Sequence, residues 1–325
     1  MTKEYINEAR AKVIVIGGPT ASGKTDLAVH LAQNLNGEIV SADSMQIYRF
    51  MDIGTAKPTL EEQRGIPHHM IDIIDPDEAF SVAEYKKMAE EKIKDIISRG
   101  KIPIVAGGTG LYLNALIYNI QFSKTQSDWE FRERMHELAK EKGAEYLHEK
   151  LRQADPVSAS LIHPNNIVRV IRALEVFETT KRPISEHQIE SRVNPPEYDY
   201  KVFGLYVDRE VLYKRIDARV DKMMEMGLIK EVEGLLEKGY TKNSLALQAI
   251  GYKELIAAME NKYSFDEAVG RIKLGTRHYA KRQLTWFKKI EGIIWMDTLA
   301  VDSWAMLKIF MDALNKEGQS SKIIP

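Results

Sequence analysis

The chain has 325 residues, 44% of them hydrophobic and 29% charged, and its 46 Lys or Arg nearly balance 47 Asp or Glu for a formal net charge of −1. That length buries a full core in one large domain or two smaller ones, and the charge balance excludes a globally basic nucleic-acid binder. The absence of cysteine excludes disulfides, thiolate chemistry and cysteine-based zinc sites. No apolar run approaches the ~20 residues of a membrane span, and the polar residues 1–11 do not read as a secretory leader, so the expectation is a cytoplasmic protein outside the membrane.

In chain order, an apolar strand over Val13–Ile16 opens directly into Gly17-Gly18-Pro19-Thr20-Ala21-Ser22-Gly23-Lys24-Thr25, followed by a helical pattern at Leu27, Ala28, Leu31, Ala32 and Leu35. The segment Gly18–Thr25 fits G-x-x-x-x-G-K-[ST], a phosphate-binding loop in the strand-to-helix setting that motif needs. Its glycines let successive N–H groups turn toward an anion, and the helix behind adds the positive end of its dipole. Lys24 brings a full charge to the outer phosphate, and the Thr25 hydroxyl is the ligand expected for Mg2+. The motif leaves diphosphate and triphosphate equally open.

Further strands are predicted over Glu38–Ala42, Ile102–Ala106, Val202–Val207 and Ile293–Met296. Strands separated by helical patterns predict a mostly parallel sheet flanked by helices, with ligands at the carboxyl ends of the strands. That rim collects the phosphate loop, Asp43–Gln46 and Gly107–Tyr112. The pattern changes between residues 121 and 200, where helices are predicted over 129–142, 144–154 and 166–179 and no strand is. An α-helical insertion domain over 121–200 is therefore expected, between core segments 1–120 and 201–325, with Asn194-Pro195-Pro196 as its exit.

A phosphoryl-transfer enzyme carries a carboxylate for magnesium at the end of a later strand. Here the strand Ile102–Ala106 runs into Gly107 and Gly108. The acid sits earlier, at Asp43, where it reads either as a turn or capping residue or as a general base acting on an incoming nucleophile. Past Asp208, Arg215 and Arg219 stand four apart beside the stripe Leu212, Ile216 and Val220, so both can face the rim. From Ala268 to Ile290 there are seven Lys or Arg and no Asp or Glu, interleaved with Tyr279, Trp286 and Phe287. That stretch reads equally as a nucleic-acid footprint and as a solvated helix face. The pair His68-His69 points its side chains apart on a strand or loop and is not read as a metal site.

Several motifs together resemble the tRNA dimethylallyltransferases, also called tRNA isopentenyl transferases. They are GPTASGKT (Gly18–Thr25), DSMQIY (Asp43–Tyr48) with DIGTAKP (Asp52–Pro58), GGTGLY (Gly107–Tyr112), RALEVF (Arg172–Phe177), QAIGY (Gln248–Tyr252) and KRQLTWF (Lys281–Phe287). They occur in the family's order across nearly the whole chain. The resemblance implies a P-loop NTPase-like core that binds dimethylallyl diphosphate rather than ATP and transfers its prenyl group to N6 of adenosine 37, next to the anticodon. It implies Asp43 as base, Thr109 at the base or the bridging oxygen, and Lys24 with Arg219, or else Arg215, assisting the departing diphosphate. For tRNA it implies Asp43, Ser44, Met45, Gln46, Thr109, Asp128, Val168, Arg169, Val170, Ile171, Arg172, Gln248, Ala249, Ile250, Gly251, Tyr252 and Lys253, to which the basic run adds Arg277, Lys281 and Arg282. Diphosphate is expected on Gly18, Pro19, Thr20, Ala21, Ser22, Gly23, Lys24 and Thr25, with Mg2+ on Thr25.

The anticodon stem-loop is the expected partner and a monomer the expected state. Within the family the absence of cysteine, and so of a zinc finger, points to the bacterial type, and Val168 departs from the polar residue that many relatives carry. Competing readings are prenyl transfer to free AMP or ADP, disfavoured by the helical insertion and basic run, a P-loop small-molecule kinase, disfavoured by Gly107-Gly108, and an RNA-binding protein without chemistry, which leaves Asp43 no task.

Overall fold

The computed structural model describes residues 10–122, 128–298 and 308–312. In chain order its elements are β1 (Lys12–Gly17), α1 (Lys24–Leu35), β2 (Gly37–Ser41), α2 (Leu60–Gln63), β3 (His68–His69), α3 (Val82–Ser98), β4 (Ile102–Gly107) and α4 (Gly110–Ile117). Five helices follow: α5 (Trp129–Lys142), α6 (Ala144–Ala154), α7 (Pro156–Leu161), α8 (Ile167–Thr180) and α9 (Ile184–Glu190). The chain then returns through β5 (Asp199–Tyr206), α10 (Arg209–Glu225), α11 (Leu228–Glu237), α12 (Tyr252–Met259), α13 (Phe265–Phe287) and β6 (Ile294–Asp297).

The strands form one six-stranded sheet in the order β3-β2-β4-β1-β5-β6, parallel throughout. The central strand β1 reads as an unbroken apolar run because both of its faces are covered, and Val13, Ile14, Val15 and Ile16 are all fully buried. Register sets the rim: Gly17 lies opposite Gly107 and Gly204, while Ser41 lies opposite Ala106. The phosphate loop, Asp43 and Gly107–Thr109 therefore leave the sheet side by side. Sequence periodicity did not mark β3, because two residues are too short for any alternation to show.

The chain divides into two compact units, one made of residues 1–117 and 196–325, the other of 118–195. The expected boundary at residue 200 falls inside β5, and the structural division comes earlier, at Pro195 within the Asn194-Pro195-Pro196 stop. The second unit is helical throughout its described residues and has its own core, formed by Phe131, Leu147, Leu151, Val170, Ile171 and Leu174 among others. Its polar centre is Glu175, whose side chain is 1% exposed and accepts from Arg132 Nε (2.9 Å), Arg172 (2.5 Å) and the backbone N–H of Asp128 (2.8 Å). Burial alone would raise this carboxyl, but the donors outweigh it and hold it below the usual range. Glu175→Ala is expected to cost about 2–3 kcal/mol by leaving these donors unpaired. Thermal unfolding checks this, with Glu178→Ala, which removes the exposed pair to Lys181, expected to stay near the native Tm.

Candidate active site

The phosphate loop closes by adopting backbone that few residues tolerate. Ala21 has φ +62° and Gly23 φ +88°, and the chain thereby turns from β1 into α1. No side chain caps α1, and Leu27 N–H to Gly23 O (3.2 Å) is its first internal bond, so the N–H groups of Gly23 through Asp26 project from the helix end. The Ser22 hydroxyl is buried without a hydrogen-bond partner. Lys24 folds back so that Nζ donates to Pro19 O at 2.6 Å.

This loop borders a cavity of about 340 Å³ built wholly within the first unit. Thr20, Lys24 and Thr25 face it from the loop, Asp43–Gln46 from the end of β2, and Gly54–Ala56 from the connection that follows. Arg219 enters from α10, Gln248–Tyr252 from the turn into α12, and Thr276, Tyr279 and Gln283 from α13. The remaining lining is apolar and includes Ile216, Val220, Met223, Leu228 and Ile272. A charged end and an apolar body are what a small molecule with an anionic head and a hydrocarbon tail requires.

Three charges condition one another here. Burial, reinforced by repulsion from Arg219, lowers Lys24 to about 7 although Asp43 pulls the other way. Burial raises Asp43, opposed by the N–H of Met45, the charge of Lys24 and the N–H of Gln46. Burial also lowers Arg219, while Glu62 acts in the opposite sense. A carboxyl that is readier than usual to hold a proton, beside two buried basic groups, can serve as a proton acceptor next to a bound anion.

Several expected site residues are used otherwise. Arg215 does not border the cavity, which only Arg219 of the pair reaches. The Thr109 hydroxyl accepts the Ser44 N–H at 2.9 Å, donates to Ser44 Oγ at 3.2 Å and also bonds the side chain of Tyr279, which faces the cavity, while Thr109 itself does not border it. Gln46 borders the cavity with a saturated amide: Oε1 accepts from Ser41 Oγ (3.1 Å) and Nε2 donates to the carbonyls of Thr55 (3.4 Å) and Ala56 (3.2 Å). Gln248 donates to Lys242 O at 2.5 Å. Tyr252 is fully buried with its hydroxyl on Glu231 at 2.7 Å, and Lys253 is exposed and off the cavity.

The basic run is only half available. Arg277 pairs with Asp217, Lys273 with Asp221 and Arg271 with Glu267. Lys281 and Arg282 are exposed and enter no salt bridge among the described residues, and the Arg282 guanidinium lies 5.7 Å from the Tyr279 ring centroid. In the second unit Asp128 caps α5 by accepting Phe131 N–H at 2.8 Å, and Arg172 is committed to Glu175. Val170 (0% exposed) and Ile171 (2%) are core residues that cannot touch RNA through their side chains. Val168 is 69% exposed, and Arg169 beside it is also exposed.

Gln283 went unassigned in the sequence, although it stands inside KRQLTWF. It is 5% exposed, accepts the Thr20 N–H at 2.8 Å and donates to Gly108 O at 3.0 Å, joining the phosphate loop to the turn after β4. This close approach explains Gly108, where a Cβ would sit 2.2 Å from Gln283 Nε2, while Gly107 is required by the neighbouring backbone, where a Cβ would sit 2.2 Å from Ala42 O. No local spacing signals such a bond, which spans 263 residues.

A family model described as IPP transferase matches residues 46–290. The tRNA dimethylallyltransferase of Acetivibrio thermocellus is 57% identical over 291 residues, covering 90% of this chain and 93% of its own length. That of Bacillus cereus strain AH187 is 49% identical over 314 residues, covering 96% and 98%. Among solved structures, the tRNA isopentenylpyrophosphate transferase of Bacillus halodurans superposes with a TM-score of 0.70 at 42% identity, covering 94% of this chain and 97% of that one. A eukaryotic dimethylallyltransferase described as acting on tRNA reaches a TM-score of 0.80 at 31% identity, covering 97% and 82%. A parallel sheet bearing a phosphate loop, a lone carboxylate across the cavity, and agreement of this extent have one common explanation: the chain belongs to the IPP transferase family, that of the tRNA dimethylallyltransferases.

Proposed function

We propose that this chain transfers a dimethylallyl group from dimethylallyl diphosphate to N6 of adenosine 37, beside the anticodon of tRNA, and releases diphosphate. The observation that carries the reading is Asp43 sharing one cavity with Lys24 and Arg219, with no second carboxylate at the end of β4. N6 is a weak nucleophile because its lone pair is delocalised into the ring. As the bond from N6 to C1 of the donor forms, the C1–O bond breaks, its electron pair leaves on the diphosphate, and the N6 proton passes to Asp43. Lys24, Arg219 and the N–H groups at the start of α1 stabilise the charge gathering on the leaving group.

Magnesium fits the donor set as a partner of the ligand. No cluster of three His, Asp or Glu able to hold a metal occurs among the described residues. The hydroxyl of Thr25, which borders the cavity in the same loop as the unpartnered Ser22 Oγ, suits a hard cation that keeps waters and phosphate oxygens in its shell. Thr25 would hold it, and the ion supplies further charge neutralisation to the diphosphate. On the first unit the exposed Lys281 and Arg282 are proposed to contact tRNA phosphates, and on the second unit, taken by itself, Arg169 is proposed to do the same with Val168 in apolar contact.

The test incubates the purified protein and magnesium with unmodified tRNA and dimethylallyl diphosphate, then digests the RNA for mass spectrometry. The expected product is adenosine carrying one dimethylallyl group, mapping beside the anticodon. Prenylation of AMP offered in parallel, with tRNA untouched, overturns the choice of acceptor. ATP hydrolysis without prenylation overturns the reaction.

A further inference from the structure

One carboxylate outside the cavity holds an unusual number of backbone donors. Glu231, on the first turn of α11, accepts the N–H of Asp52 (2.9 Å) and Ile53 (2.7 Å) on Oε2, and that of Gly54 (3.0 Å) together with the Tyr252 hydroxyl (2.7 Å) on Oε1. Three consecutive amides converge on it as they would on a bound anion. The loop packs closely beside this grip, since a Cβ on Gly54 would come 2.5 Å from the Tyr252 ring.

The clamp leads by short steps to the proposed base. Residues 54–56, just past the clamped amides, border the cavity, and their Thr55 and Ala56 carbonyls accept from the Gln46 amide. Gln46 and Met45 in turn supply the backbone N–H groups that hold Asp43. The same segment is pinned at its start: Phe50 stacks on Tyr240 at 6.5 Å, with Lys238 Nζ 4.9 Å above its ring. Phe50 has φ +67°, a left-handed backbone that a bulky residue keeps only when its surroundings enforce it. So α11 and the turn after it hold the run from Phe50 to Gly54 at both ends.

The donor's diphosphate belongs to the phosphate loop, and an acceptor presenting N6 to Asp43 lies against the wall that flanks Asp43, namely Gln46, Thr55 and Ala56. We infer that Glu231 is a positioning residue for the transfer: by fixing residues 52–54 it sets that wall, and with it the alignment of the acceptor against Asp43, while touching neither substrate. The inference rests on the reading of the reaction given above. A merely structural Glu231 would change stability and leave the kinetic constants alone.

Glu231→Gln keeps the shape of the side chain but turns an N–H toward amides that need acceptors. Expected are faster hydrogen exchange at Asp52–Gly54, a fall of about 10–100-fold in kcat/KM for tRNA, and an unchanged Kd for inorganic diphosphate. Tyr252→Phe, which removes one donor and leaves three, is expected to lose far less. Should Glu231→Gln fail to fold, Glu231→Asp, which keeps the charge and falls short of the amides, is measured in the same way. Native kcat and KM for tRNA in a variant whose exchange has risen would overturn the inference. So would a parallel loss of diphosphate affinity, which would place the effect on the whole core. A native protein that prenylates no RNA sinks the underlying reading instead, and that result is seen before any variant is made.

Discussion

Replacing Asp43 by Asn is expected to lower kcat for RNA prenylation by about 10²–10⁴-fold, the range of a lost general base, while the Kd for tRNA stays within about threefold. The substitution isolates the proton. Asn keeps an oxygen for the Met45 N–H, now at 2.9 Å from Asp43 Oδ1, so the turn that carries Ser44 and Gln46 keeps its main restraint. What disappears is the ability to take the N6 proton in the transition state. Single-turnover rates with saturating donor, beside filter binding of the same tRNA, separate the two quantities. Equal losses in rate and binding would make Asp43 an RNA contact rather than a base.

The sign of the acid limb follows from the same residue. Asp43 must be ionised to accept a proton, and burial raises its affinity for one. The rate therefore falls as pH drops through a midpoint above the ordinary aspartate range, and Asp43→Asn removes that limb along with most of the rate. Lys24, lying close enough for its charge to oppose the shift, keeps the midpoint from rising further.

Local signals in the sequence account for what was legible. Gly18–Thr25 is a continuous motif whose function is its own backbone, and Asp43 follows a strand whose end position is fixed by the parallel sheet. The helices of the second unit were bounded closely, Trp129–Lys142 and Ala144–Ala154 among them, because their apolar spacing meets glycine or an N-capping aspartate at the ends. Assignments made by likeness to relatives mixed contact with context. Val170 and Ile171 stand in a matching segment yet face the core, on the helix face they share with Ile167 and Leu174. Arg277 read as free positive charge because its acid, Asp217, becomes a partner only where α10 packs on α13, whereas Glu175 stands three residues from Arg172 on the same helix and that pair was open to a local reading. Gln283 and Glu231 were not assigned, since both act through side chain to backbone bonds between segments far apart in the chain.

Lys24 offers the second large effect, and it carries a proton signature. With burial and Arg219 lowering it to about 7, Lys24 is mostly neutral at pH 8 in the free protein. A polyanion on the phosphate loop favours the charged form, so binding at pH 8 is expected to draw a sizeable fraction of a proton from solution. By linkage the affinity for diphosphate declines as pH rises above 7, by at most about tenfold per pH unit, until the higher value of the complex is reached. Below that window the lysine is already charged, and the dependence owed to it vanishes. Calorimetry at pH 8 in two buffers of different ionisation enthalpy measures the uptake directly. Lys24→Met is expected to abolish it and to slow prenyl transfer by about 10²–10³-fold, since the leaving diphosphate loses a preorganised charge. Proton uptake that persists in Lys24→Met would assign the titration to another group and leave Lys24 a bystander. Unchanged transfer without uptake would confine its charge to binding the donor, and Arg219 would then carry the stabilisation of the departing group.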